Sequence, residues 1–140
     1  MSPADPYNLQ RFIAAQNPVF DAVREELRRG RKRSHWMWFV FPQLKGLGYS
    51  SMAQTYAISS KAEAEAYLAH PILGPRLTEC AQLALAVEDR SAEEIFGDID
   101  EMKFRSSMTL FAQVAPISVF DEALRRFFGG VPDQISLDLL

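Results

Sequence analysis

One cysteine and two histidines are all that these 140 residues offer among the softer metal ligands. Cys80 has no partner for an intrachain disulfide, so the chain must rely on its core, and a reducing compartment, the cytoplasm, is its expected location. Cys80, His35 and His70 are too few to suggest a structural zinc site within one chain. The Walker loop, the dinucleotide glycine fingerprint, His-Glu-x-x-His and Cys-x-x-Cys are all missing, and no cofactor or metal is predicted. No apolar run approaches the roughly 20 residues of a membrane span. The opening residues, Met1 to Asn8, are polar and read as an arm (1–7) rather than a secretory signal. A net charge of -3 supplies no general attraction for polyanions, which argues against nucleic acid or an anionic membrane as partner. Repeats and low-complexity segments are absent too.

What is present is a chain of ordinary globular composition, 48% hydrophobic and 24% charged, at the commonest size for one domain. Apolar residues recur mostly at helical spacing. Leu9, Phe12 and Ile13 follow Asn8, a candidate N-cap; Phe20, Val23 and Leu27 follow Asn17-Pro18 and end at Gly30. Ser50 or Ser51 can cap a short helix through Tyr56. Ser60 to Glu63 reads as a capping box for a helix that ends at His70-Pro71. A further helix is expected from about Pro75, with Leu77, Cys80, Ala81, Ala84 and Leu85 inward. Ser91 to Glu94 is a second capping box. Asp98 or Asp100 opens a helix carrying Phe104, Ser107, Met108 and Phe111, and Ser118 opens the last, which stops at Gly129-Gly130. Residues 130–140 read as a C-terminal tail. No alternating run bounded by hairpin signals appears. The prediction is an all-α single domain (1–140) of about six or seven short helices with irregular connections.

The densest stretch is Ser34 to Ser51, which holds Trp36, Trp38, Phe39, Phe41 and Tyr49 among polar residues and glycines. Rings in this number are too costly to leave in water, so most must be core. Residues 36–41 are apolar on both faces, which fits a buried strand or a buried helical turn; the lack of a partner strand favours the helix. Arg28, Arg29, Arg31, Lys32 and Arg33 lead into the stretch. They read either as a solvated helix end or as guanidinium forks beside a ring-lined anion pocket. His35 and His70 each read as a histidine bonded to backbone or as a general base or ligand contact. Asp100 and Lys103 sit at a helix start. Ser106, Ser107 and Thr109 interrupt an otherwise apolar helix, where hydroxyls either bond back to the preceding turn or line a polar cavity.

His35-Trp-Met-Trp-Phe-Val-Phe-Pro-Gln-Leu44, Gly46-Leu-Gly48 and Ser51 with Tyr56-Ala-Ile58 resemble the DUF1810 family. So do the segment from Glu65 to Leu77, Ile95-Phe-Gly97, and Asp100-x-x-Lys103-x-x-Ser106-Ser-Met-Thr-Leu-Phe111. The resemblance spans about Leu9 to Phe128. It implies a small helical bacterial protein of a kind sometimes labelled calpastatin-like, and it assigns no reaction. Its polar motif positions imply convergence on one cleft. The expectation is therefore a polar and aromatic cleft for an anionic or nucleotide-like small molecule, with hydrolase or transferase chemistry. His35, Asp100 and Lys103 are the candidate catalytic residues. Trp36, Gln43, Ser51, Tyr56, His70, Arg76, Ser106, Ser107 and Thr109 are the candidate ligand contacts. One wall is expected from His35, Gln43 and the glycine turn, the other from the 100–111 helix. The rival is a protein-interaction or homodimerisation module without chemistry.

Overall fold

A computed structural model describes residues 4–140; of the expected arm, residues 1–3 lie outside the described residues. The described chain is all-helical, with ten helices, six of them seven residues or longer: α1 (Gln10–Gln16), α2 (Phe20–Arg28), α3 (Met37–Val40), α4 (Ser51–Thr55), α5 (Lys61–Ala69), α6 (Leu73–Ala86), α7 (Ala92–Phe96), α8 (Asp98–Val114), α9 (Val119–Phe128) and α10 (Gln134–Leu139). The ambiguous aromatic stretch is helical at its centre. The only pairing of extended backbone among the described residues is an isolated parallel bridge between Leu44 and Ile58.

Capping side chains explain most of the boundaries. Ser50, Ser60, Ser91, Ser118 and Asp133 each accept a backbone N–H at the start of α4, α5, α7, α9 and α10. Four expectations are corrected. Asn8 does not cap α1: it has φ 51°, and the Asp5 carboxylate takes the N–H groups of Leu9 and Gln10 instead. Asn17 caps nothing, because its side-chain oxygen receives Arg76. At α5 the capping box is half made. Ser60 takes the Glu63 N–H, while the Glu63 carboxylate turns to Ser59 and Arg11. The segment read as a tail carries α10, and its Ser136 is buried.

Helix α8 is the axis of the fold, packing against α3, α5, α7, α9 and α10, while α6 packs on α2, α5 and α9. A chain of ring contacts runs along it. Phe104 stacks on Phe96 with centroids 4.5 Å apart and meets Phe41 edge-on at 5.0 Å; Phe111 touches Tyr67 and Phe120. Edge-to-face geometry of this kind adds to area burial. Helices α5 and α6 meet tightly enough that a Cβ on Gly74 would lie 2.1 Å from the Leu68 carbonyl oxygen. That contact requires a residue without a side chain. None of the described helices is long and apolar enough to cross a membrane.

Candidate functional site

The site is built from the loop between α2 and α3, the α3 turn and the first turns of α8. Glu26 lies on the inner face of α2 and is 9% exposed. Its carboxylate accepts from the N–H of Arg33 (2.6 Å), the N–H and hydroxyl of Ser34 (2.8 and 2.6 Å) and the indole N–H of Trp36 (3.0 Å). Burial pushes this carboxyl up, but the hydrogen bonds from Ser34, Arg33 and Trp36 outweigh burial and bring it down from 4.5 to about 2. Glu26 therefore stays ionised and holds the 33–36 loop in one shape. The Lys32 N–H donates to the Ile95 carbonyl (2.7 Å) and ties the same loop to α7.

That shape turns the Lys32 side chain inward. Its ammonium lies 2.9 Å from one oxygen of Asp100, over the Trp36 ring at 5.1 Å, and donates to the Ser34 carbonyl. Lys103, one turn along α8, reaches the other Asp100 oxygen at 3.2 Å and sits over the Trp38 ring at 5.0 Å. Two ammonium groups thus share one carboxylate between two indoles. Asp100 also sits in the first turn of α8, where the helix dipole favours a carboxylate. Lys32 is nearly enclosed, whereas Lys103 keeps 21% of its side chain exposed. Asp100 is engaged at both oxygens, so its role here is to orient two cations.

The other predicted contacts are spread over the molecule. His35 is exposed on the loop just before Trp36, which is 1% exposed and turned inward to Glu26. Gln43 is half-buried against Gly48. Ser51 is exposed at the start of α4, and half-buried Tyr56 packs its ring on Phe12 and Phe39. His70 accepts the Ile72 and Leu73 N–H groups through Nδ1 and so caps α6. Arg76 bonds Gln16 and Asn17 and lies over the Phe20 ring. Ser106 and Thr109 do bond back to the preceding turn, at Met102 and Arg105, and also fasten Asp133 ahead of α10. The Ser107 hydroxyl is fully buried and has no hydrogen-bond partner.

Of the predicted set, then, Asp100 and Lys103 meet; Arg76, His70 and Tyr56 serve other contacts, and Ser51 is exposed. The aromatic stretch does face α8, but through Trp38 and Phe41, which meet Lys103 and Phe104, rather than through Gln43 and the glycine turn. Gly46 lies against Leu139 of α10, and beside it Lys45, Gly46, Gly48, Tyr49, Gln54 and Ala57 line a depression of about 370 Å³. Glu26 and Lys32 were missing from the predicted site. The signal for Glu26 is a carboxylate three residues after Val23, on the stripe that ought to be apolar. Among the described residues no cluster of three or more His, Cys, Asp or Glu could hold a metal ion.

Comparison with known proteins fits this picture of a defined fold without an assigned reaction. A search of curated proteins finds no match. Among solved structures, the crystal structure of the conserved hypothetical protein Rv1873 from Mycobacterium tuberculosis is 55% identical, with a TM-score of 0.95 over 97% of this chain and 98% of that one. The family model described as "Protein of unknown function (DUF1810)" matches residues 6–140, and the chain belongs to that family.

Proposed function

We propose that this protein binds an anionic, nucleotide-like small molecule where Trp38, Lys103, Asp100 and Lys32 meet. The observation that carries the reading is the pair of ammonium groups held on one carboxylate between two indoles. Lys32 spends its donors inside the fold, while Lys103 has N–H donors left over after Asp100 and remains partly open. A phosphate approaching Lys103 would meet a cation already oriented, so little ordering cost remains to be met on binding. Trp38, half-buried beside it, offers an aromatic surface for a base or a sugar face. His35, exposed three residues earlier, is the group of this stretch free to exchange a proton with a bound substrate. It would be the general base if the site performs hydrolysis or group transfer. Asp100 in this scheme orients Lys103 and contributes indirectly. The cytoplasm is the proposed location, supported by the lone Cys80, which is buried and unpaired and whose thiol burial pushes up to about 12.

The test is a thermal-shift and tryptophan-fluorescence screen of nucleotides and sugar phosphates at millimolar concentration, on the wild type and on Lys103→Met. The expected result is a rise in melting temperature for at least one phosphate-bearing ligand, reduced about tenfold in affinity in the variant. No response from any ligand, or an equal response in Lys103→Met, overturns the reading.

A further inference from the structure

Residues 131–140, which carry α10, are attached to the fold by polar contacts rather than by burial. They follow Gly129 and Gly130, both at positive φ (61° and 81°). Ser136 is the one buried residue among them. Val131, Ile135, Leu139 and Leu140 are between 45% and 61% exposed. Among the described residues no hydrophobic side chain beyond Phe128 belongs to the core or packs against it, and no ion pair fastens the segment. The bonds that join it to α8 gather at its near end. Arg105 donates through Nε to the Val131 carbonyl (3.0 Å), and the Asp133 N–H donates to the Thr109 hydroxyl (2.8 Å). The Ser106 hydroxyl donates to the Asp133 carboxylate (3.1 Å), and the same carboxylate oxygen caps α10 through the Ser136 N–H and hydroxyl.

We propose that 131–140 is a strap, latched to α8 by Asp133 and hinged at Gly129-Gly130, which opens as a unit while the other helices stay folded. Two features keep the free energy of opening low. The first is that no core side chain leaves with it, so the apolar burial that holds the other helices is untouched. The second is that no buried polar group loses its only partner. The Ser106 hydroxyl has one hydrogen and two acceptors in reach, the Asp133 carboxylate at 3.1 Å and the Met102 carbonyl at 3.0 Å. When the strap lifts, that hydrogen turns to the carbonyl. Thr109 keeps its own bond to the Arg105 carbonyl (2.8 Å), and Ser136 moves with the carboxylate that it bonds. Opening therefore changes α8 at its middle. It frees the Arg105 Nε–H and the Ser106 and Thr109 hydroxyls, three polar groups at i, i+1 and i+4, for another partner. Ser106 and Thr109 belong to the polar set that the sequence singled out and that the Lys103 and Trp38 site does not use, so the strap and the small-molecule site are tested separately.

Hydrogen–deuterium exchange of the full chain, read by mass spectrometry on peptides, tests it. The α10 amides should exchange at least about 100-fold faster than those of α8, yet more slowly than an unstructured peptide of the same sequence. Ser106→Ala removes a latch donor without touching α10 or its cap. Arg105→Met cuts the other tie from an α8 side chain. Each should speed α10 exchange by about three- to tenfold and leave α8 exchange unchanged. Ser107→Ala, whose hydroxyl has no partner, should leave both unchanged. A thermal melt of each variant establishes that it is folded. Exchange of α10 at the rate of α8 overturns the proposal, because the segment then opens only with the core. Exchange as fast as the unstructured peptide overturns it too, because nothing is then latched. So does α10 exchange that neither latch variant speeds, or an equal acceleration of α8.

Discussion

Replacing Glu26 by glutamine tests whether one buried anion organises the loop that carries the candidate site. The carboxylate takes four donors and has no cationic partner, so its worth is that of charge-assisted hydrogen bonds less the desolvation of the charge. A fall of its pKa from 4.5 to about 2 corresponds to about 3 kcal/mol of folding free energy at 1.36 kcal/mol per pH unit. Glutamine is a close copy of the protonated acid. It keeps one acceptor oxygen for the Arg33, Ser34 and Trp36 N–H groups and loses the charge, and the Ser34 hydroxyl can turn to accept from its amide. The sign follows from the depressed pKa: the stabilisation is fully present above pH 4.5 and is lost as pH falls towards 2. Urea unfolding of wild type and Glu26→Gln, followed by tryptophan fluorescence, should differ by about 3 kcal/mol at pH 7, or about 10 °C in melting temperature. The gap should close to below about 0.5 kcal/mol near pH 2. Taking the difference between the two proteins cancels the other carboxylates, which titrate alike in both. A gap that does not change with pH, or one under about 1 kcal/mol at pH 7, would refute the reasoning.

Two stability predictions stand beside this one. Gly74→Ala would ordinarily favour a helix by up to about 1 kcal/mol. Here the added methyl would meet the Leu68 carbonyl oxygen at 2.1 Å, so chemical denaturation should show a loss of about 1–3 kcal/mol instead. Ser107→Ala removes a buried hydroxyl that has no partner. It should leave stability unchanged or raise it by up to about 1 kcal/mol, whereas a loss above about 2 kcal/mol would mean that the hydroxyl is satisfied.

Helix punctuation was the most legible part of the chain, because it is written in neighbouring residues. A serine cap satisfies an N–H three residues on, and a glycine adopts positive φ within its own turn; both act over distances that the sequence displays. Ser91 with Glu94, Ser118 and Gly129 all do what their spacing says. Asn8 and Asn17 show where that local logic stops. Each is a good capping residue, but Asp5 reaches the first turn of α1 from outside it, and Asn17 is claimed by Arg76, 59 residues away.

The site depended on contacts of the long-range kind. Sequence spacing put Asp100 and Lys103 one turn apart on a helix, and that contact exists. Nothing in the spacing says that Lys32 crosses 68 positions to complete the group, or that Trp38 lies under Lys103. The hydroxyls were legible only as a choice between bonding back and lining a cavity. Tertiary packing settled it, because α10 folds onto α8 and supplies Asp133 as a partner for Ser106 and Thr109.

By itself, then, the sequence determined that the protein is helical, where most helices start and stop, and that the rings of the 34–51 stretch are largely core. Those follow from short-range hydrogen bonding and from the cost of wetting apolar surface. Only the tertiary structure decided which charges meet. Burying Glu26 against the 33–36 loop turns Lys32 inward to Asp100, and α10 folds onto the part of α8 that holds Ser106 and Thr109.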